Sequence, residues 1–265
     1  MTDDYLAIIL PLVCGFGSGV FVSLASGTAA SVMIPCLTIF IGYSIHLAIG
    51  TSLVVDCIIG GIAGLIFLRS GNVDMRSGFL LAVTGVIGAI IGSRFTSGTS
   101  ASGLGVFIGL ILIFTGVNFI IKGVRKNIDY IETKINLKLF KNNKIPFLVI
   151  FGLIIGFISG FSGMGGSRMV ALILIFILGY DIHTAIGTSL LMMFFIAGSG
   201  AISHGFNNEV IVSAALVAGC AAAVGAVSGS LVANQIDEDK LGRLVGSVLL
   251  GLGILILLKI FFNIL

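Results

Sequence analysis

The sequence predicts an all-α polytopic membrane protein made of two inverted-topology repeats, each of about five hydrophobic segments. Three observations predict it: a composition too apolar for water, long unbroken apolar runs, and a second half that repeats the first at a constant offset. Of the 265 residues, 57% are hydrophobic and only 9% charged, whereas a soluble domain carries about 25% charged residues. Mean hydropathy is +1.22, so no water-facing surface can be covered. A transmembrane β-barrel would alternate apolar and polar positions, which these runs exclude. The 38 glycines and three prolines suit close packing of helix against helix.

The apolar segments fall at about 5–25, 29–45, 47–68, 76–97 and 101–121, then at 146–162, 166–181, 184–204, 209–233 and 241–263. Most approach the ~20 residues that cross ~30 Å of hydrocarbon. The first two segments of each half are shorter and parted only by a glycine- or serine-rich break, which reads as a broken or re-entrant helix pair. The opening Met1-Thr-Asp-Asp-Tyr5 lacks the basic start of a cleavable signal peptide, so the first segment is expected to be retained.

The two halves are one unit shifted by 137 positions: Ala48-Ile-Gly-Thr-Ser-Leu53 recurs letter for letter as Ala185-Ile-Gly-Thr-Ser-Leu190. The same shift maps Gly15 to Gly152, Gly19 to Gly156, Gly42-Tyr43 to Gly179-Tyr180, His46 to His183 and Gly92-Ser93 to Gly229-Ser230. So many gapless matches mark an internal duplication. The expected organisation is a first transmembrane repeat over 1–121, a basic linker over 122–145 and a second repeat over 146–265.

The linker carries Lys122, Arg125, Lys126, Lys134, Lys138, Lys141 and Lys144 against Asp129 and Glu132. Such an excess predicts a cytoplasmic linker in the inner (cytoplasmic) membrane, with both termini external. Counting spans outwards puts Arg69, Arg76, Lys240 and Arg243 on the same side, so eleven of the 14 basic residues are cytoplasmic. Arg94, Lys259 and the intramembrane Arg168 remain. Each repeat then has an odd number of crossings, which turns the halves upside down relative to each other. Inverted repeats with broken helices are the architecture of secondary transporters.

The second break, Gly156-Phe-Ile-Ser-Gly-Phe-Ser-Gly-Met-Gly-Gly-Ser-Arg168, places five glycines in eleven positions. Glycine is a poor helix-interior residue, and a helix broken in lipid is tolerated only where it lines a cavity or is buried in protein. The helix restarting near Gly165 presents free amides, so Gly165, Gly166, Ser167 and Arg168 form a candidate anion site. Arg168 has Ser31 as its repeat partner, and Asp56 has Met193. Both charges therefore break the symmetry. Intramembrane charges face cavities or partners, which leaves Asp56 as a proton-coupling carboxylate, a fixed partner of Arg168, or a neutral acid on a backbone carbonyl. Thr51, Ser52, Thr188 and Ser189, repeated after a glycine, bind anion oxygens or, as plain structure, cap and glue helices.

The doubled pattern of a break, a small-residue turn, "AIGTSL" and a later Gly-x-Val turn resembles the TauE/SafE sulfite exporter family, over about Leu6 to Phe262. The first break, Ser23–Ser31, is poorer in glycine than the family pattern, and Leu172 stands where the first copy has Pro35. The resemblance implies a membrane transporter for sulfite, sulfonates or related sulfur-containing anions.

His46 and His183 sit in matching turns and read as turn chemistry, while His204, near an outer end, reads as interfacial. The four cysteines, Cys14, Cys36, Cys57 and Cys220, lie far apart in apolar runs and read as small buried hydrophobes. No metal-ligand spacing or P-loop is present, so neither a cofactor nor ATP-driven transport by this chain is expected. An enzyme would need a reactive constellation that the sequence lacks. The net charge of +3 gives no case for nucleic acid. Expected partners are the anion, a co-transported proton and the lipid bilayer; a homo-oligomer is compatible with all of this. A passive anion channel, or a carrier of another small organic anion, is the alternative.

Overall fold

The computed structural model describes residues 2–25, 27–134, 144–232 and 238–262, and every regular element among them is helical. The first half comprises α1 (Thr2–Ala25), α2 (Ala30–Pro35, continuing as a π turn over Cys36–Phe40), α3 (Ile45–Arg69), α4 (Met75–Ser97) and α5 (Ala101–Lys134). The second comprises α6 (Lys144–Ser162), α7 (Ser167–Ile173, with a π turn over Leu174–Leu178), α8 (Ile182–Phe206), α9 (Val212–Val232) and α10 (Glu238–Phe262). Six of the described helices are long and apolar enough to cross a membrane. The chain is a multi-pass membrane protein. The fifth apolar segment, expected to end near 121, stays helical to Lys134, and residues 135–143 of the linker lie outside the described residues.

The repeated turns have a common cause. Gly42 and Gly179 end the two π turns with φ of 83° and 69°, a left-handed conformation that glycine adopts without a Cβ penalty. Tyr43 N–H and Tyr180 N–H then reach back to Leu37 O and Leu174 O at 3.0 and 3.3 Å. Ser44 caps α3 by accepting from Leu47 N–H, and Asp181 caps α8 by accepting from Thr184 N–H. The side chain and then the amide of Thr184 hold the exposed Asp181 carboxyl below the usual carboxylate range. Both copies make the π turn although only the first has Pro35, so proline is not its cause.

Each principal packing pair joins the two halves: α1 with α9, α4 with α6, α3 with α8 and α5 with α10. Glycines set the register by letting backbones touch. Gly15 and Gly19 of α1 abut Ala218 and Ala222 of α9, and Gly156 and Gly160 of α6 abut Gly85 and Ala89 of α4. These pairs run parallel. In contrast, Gly60 meets Leu190 and Phe194 while Gly200 meets Leu53, so α3 and α8 run antiparallel. Gly109 opposite Leu257 and Gly116 opposite Gly246 make α5 and α10 antiparallel as well.

α2 folds back along α1, with Cys36 S–H directed at Leu10 O at 3.9 Å. Cys14 and Cys36, distant in sequence, come close to each other in this hairpin. Lys259 near the end of α10 donates to Thr38 O, a carbonyl of the first π turn. α3 and α8 form the middle of the bundle: they pack on each other, and α3 also packs on α9 and α8 on α4.

Candidate functional site

Each half breaks its first helix pair, and the two breaks meet against the middle of α3. α6 closes with Gly163 N–H bonded to Ser159 O at 2.9 Å, and α7 opens with Val170 N–H bonded to Gly166 O at 3.0 Å. Between them Gly163 and Gly166 have φ of 78° and 76°, where a side chain would be strained. Gly165 is required for space instead: a Cβ there would lie 2.8 Å from Asp56 Oδ2 and from Met193 Cγ. The first break, between α1 and α2, has Ala29 at φ −61° and turns without a left-handed residue at that position.

Asp56 is fully buried and bridges both breaks. Its Oδ1 accepts from Ala29 N–H at 2.7 Å. Its Oδ2 accepts from the Thr28 hydroxyl at 2.6 Å and from Gly165 N–H at 3.0 Å. Thr28 Oγ1 in turn accepts from Gly165 N–H at 3.1 Å. Thr28 and Gly165 are equivalent under the 137-residue shift, so the halves touch at matching residues. Ser167 donates to Gly27 O at 2.7 Å, and Ser52 donates to Ile49 O at 2.8 Å and Gly163 O at 3.3 Å. A buried carboxylate is tolerated when its oxygens are hydrogen-bonded, and here backbone amides and a hydroxyl do this. Arg168 is not among the donors to Asp56; it lies partly buried in the first turn of α7.

Of the predicted site residues, Gly165, Gly166, Ser167, Arg168, Ser52 and Asp56 lie on the crossing or on the turn that leaves it. Thr51 and Thr188 do not. Thr51 accepts from Ile211 N–H at 3.0 Å, and Thr188 accepts from Asp74 N–H at 2.9 Å. Each therefore pins the α8–α9 or α3–α4 turn of the other half, and Gly50 and Gly187 let Glu209 O and Asn72 O approach beside them. Ser189 bonds Ile186 O within its own helix. The repeated hexapeptide is thus a clamp for the opposite half.

Sequence reasoning passed over Thr28 and Ala29, although the shift that maps Thr28 onto Gly165 was a usable signal. It also passed over Ser159, whose fully buried hydroxyl has no partner among the described residues and whose Cβ would lie 3.9 Å from a Cβ on Gly166. His204 was expected at an interface. It is instead fully buried, bonded to Glu209 Oε2 at 2.6 Å and to Gly160 O at 2.9 Å. Among the described residues no three His, Cys, Asp or Glu side chains converge as a metal site.

The profile of the family described as Sulfite exporter TauE/SafE matches residues 11–256. The chain is 25% identical over 227 residues to the probable membrane transporter protein YdhB of Bacillus subtilis, covering 84% of this chain and 91% of that one. It is 21% identical over 266 residues to the probable membrane transporter protein YunE of the same organism, covering 94% and 96%. A probable membrane transporter protein of Xylella fastidiosa is 27% identical over 265 residues, again covering 94% and 96%. No solved structure matches.

Proposed function

The chain belongs to the sulfite exporter TauE/SafE family, and from that premise we propose that it is a secondary transporter for sulfite, a sulfonate or a related sulfur-containing oxyanion. Transport is ion-coupled, and the substrate site lies at the crossing of the two breaks. The observation that carries this reading is the convergence of one break from each half on the buried Asp56 carboxylate. Transporters built from inverted repeats hold substrate where such interrupted helices meet. The antiparallel packing of the equivalent helices α3 and α8, and α5 and α10, supports inverted repeats over 1–121 and 146–265.

Arg168 anchors the anion, because its rigid fork of donors suits a pyramidal or tetrahedral oxyanion. The unpartnered Ser159 hydroxyl beside Gly166 supports a polar ligand at that turn. Asp56 holds the amides of Ala29 and Gly165 when no substrate is present. A proton on Asp56 weakens its hold on both and frees them for anion oxygens. The distribution of basic residues supports the inner membrane, a cytoplasmic linker and external termini. The test is flux into proteoliposomes of sulfite, thiosulfate, a sulfonate and sulfate, with and without a pH gradient. Saturable flux of one sulfur anion driven by the gradient is the expected result. Flux that follows the Nernst potential without proton movement would replace the carrier by a channel.

A further inference from the structure

His204 lies in the last turn of α8, and each of its two ring nitrogens faces an oxygen acceptor, so forming both hydrogen bonds at once requires an extra proton. Its Nε2 is 2.9 Å from Gly160 O, and its Nδ1 is 2.6 Å from Glu209 Oε2. A carbonyl oxygen can only accept, so Nε2 carries a hydrogen. Nδ1 then either carries a second hydrogen towards an ionised Glu209 or accepts one from a protonated Glu209. In both cases the pair holds one proton more than a neutral histidine beside a free carboxylate. Remove that proton and the Nδ1 lone pair faces a carboxylate oxygen, so the bond is lost.

The pair sits where its opening would be felt. His204 is fully buried, and Glu209 keeps 13% of its side-chain surface exposed, which gives the proton a route out. Gly160, the acceptor on α6, precedes the second break by one turn. Thr96 of α4 donates to the neighbouring Phe161 O at 2.9 Å, and Gly50 of α3 packs directly on Glu209 O and His204 Cβ. The other charged groups on these helices are engaged or face away. On α3, His46 bonds Thr99 O and Asp56 is held at the crossing. On α4, Arg94 is exposed. Arg69, Arg76, Lys144 and His183 lie at the opposite ends of their helices, and α9 carries no charged residue.

We infer that His204 and Glu209 form a proton-binding site, one proton per pair, that is loaded and emptied during transport and locks the α8–α9 turn to the root of the second break when loaded. The transport half of this inference rests on the ion-coupled reading above; the proton-binding half does not.

The purified full-length protein tests both. Because the folded pair binds a proton that the separated groups release, the melting temperature of the wild type falls as pH rises, by roughly 3–6 °C between pH 5 and pH 8.5. Glu209→Gln keeps both bonds without that proton, since its amide donates to Nδ1 while Nε2–H still serves Gly160. Its melting temperature therefore does not fall with the wild type's as pH rises and is instead lowered below about pH 6.5, where only its unfolded state takes up a proton. Parallel slopes in the two proteins overturn the proton site. In liposomes loaded for sulfite counterflow, external pH changes wild-type flux by about tenfold more than Glu209→Gln flux, the dependence left in the variant being that of Asp56 and of the sulfite–bisulfite equilibrium. Identical pH profiles overturn the coupling role even if the melting data hold. His204→Gln, which removes the imidazole and with it the proton shared by the pair, likewise lacks the wild-type fall with rising pH, at a lower melting temperature, and serves if Glu209→Gln fails to insert.

Discussion

The first break and the second occupy equivalent places in the duplicated chain, yet they solve the same problem differently. The first turns through Gly27, Thr28 and Ala29 with Ala29 at φ −61°, and it contributes a hydroxyl and an amide to Asp56. The second turns through glycines at φ of 78° and 76° and contributes an amide alone from Gly165. Where the first copy continues with Ser31, the second has Arg168. Duplication supplied two openings in the helix ladder, and divergence gave them one shared carboxylate partner and the second a cation. Symmetric breaks place backbone amides at the crossing; only the unequal residues decide what those amides hold.

That contrast is broken most severely at Gly165. The first break needs a side chain at the equivalent Thr28, whereas a methyl group at Gly165 would lie 2.8 Å from Asp56 Oδ2 and from Met193. Gly165→Ala is expected to part the breaks, destabilise the fold by about 1–3 kcal/mol as overpacking does, and abolish flux. The check is the melting temperature together with proteoliposome uptake. Normal values for both would mean that the breaks do not need to touch.

Next in size is the Ser31 and Arg168 pair. Arg168→Ala is expected to reduce sulfur-anion uptake to background, and Arg168→Lys to retain only part of it, because lysine keeps the charge but loses the planar fork. Ser31→Ala is expected to leave uptake near the wild-type rate. Uptake kinetics of the three inserted variants decide it; equal loss at both positions would erase the proposed division between the breaks.

Asp56 against Met193 gives a more selective effect. Asn at 56 keeps one acceptor oxygen but turns an NH₂ towards a donor, leaving Ala29 or Gly165 unsatisfied at about 1–3 kcal/mol. Loss of gradient-driven uptake with preserved counterflow exchange is the expected outcome for a coupling carboxylate. Loss of both would mark a purely structural latch, and unchanged gradient-driven uptake would remove Asp56 from the mechanism.

Much of the fold was legible because lipid imposes it. Long apolar runs can only be helices there, and the 137-residue shift tied the two halves together residue by residue. The break at 156–168 was legible because glycine clusters carry a backbone meaning. The facing of side chains was not. A helix surrounded partly by lipid and partly by protein is apolar all round, so its polarity pattern does not tell inside from outside. His204 therefore looked interfacial when it is fully buried, and Cys14 and Cys36 looked unrelated. The repeated Ala-Ile-Gly-Thr-Ser-Leu segments carried a real signal, but repetition alone does not separate a ligand site from a clamp. Only the turns docked on Thr51 and Thr188 make that distinction.

Those two clamps supply the smallest and sharpest test of how symmetry was lost. Both threonines hold a turn amide, but on the Thr188 side the turn residue is Asp74, where the other clamp has Ile211. Asp74 caps α4 through Arg76 N–H at 2.9 Å, and it accepts from the Tyr180 hydroxyl, which also lies 2.9 Å from Ser77 Oγ. Partial burial pushes the Asp74 carboxyl up, but the bonds from Tyr180, Arg76 and Ser77 together hold it below the usual carboxylate range. A carboxyl depressed in the folded state adds stability above its unfolded value, and that stability is lost as pH falls through the folded value. Tyr180→Phe removes one of the bonds that depress it. The site is partly exposed, so screening keeps the effect small: a melting temperature lower by about 2–4 °C at neutral pH, with the gap to wild type closing as the solution is acidified. Tyr43→Phe, at the equivalent position without a carboxylate turn, should show no such pH-dependent gap. Equal pH responses of the two variants would mean that the Asp74 contact adds nothing to a clamp that Thr188 already holds.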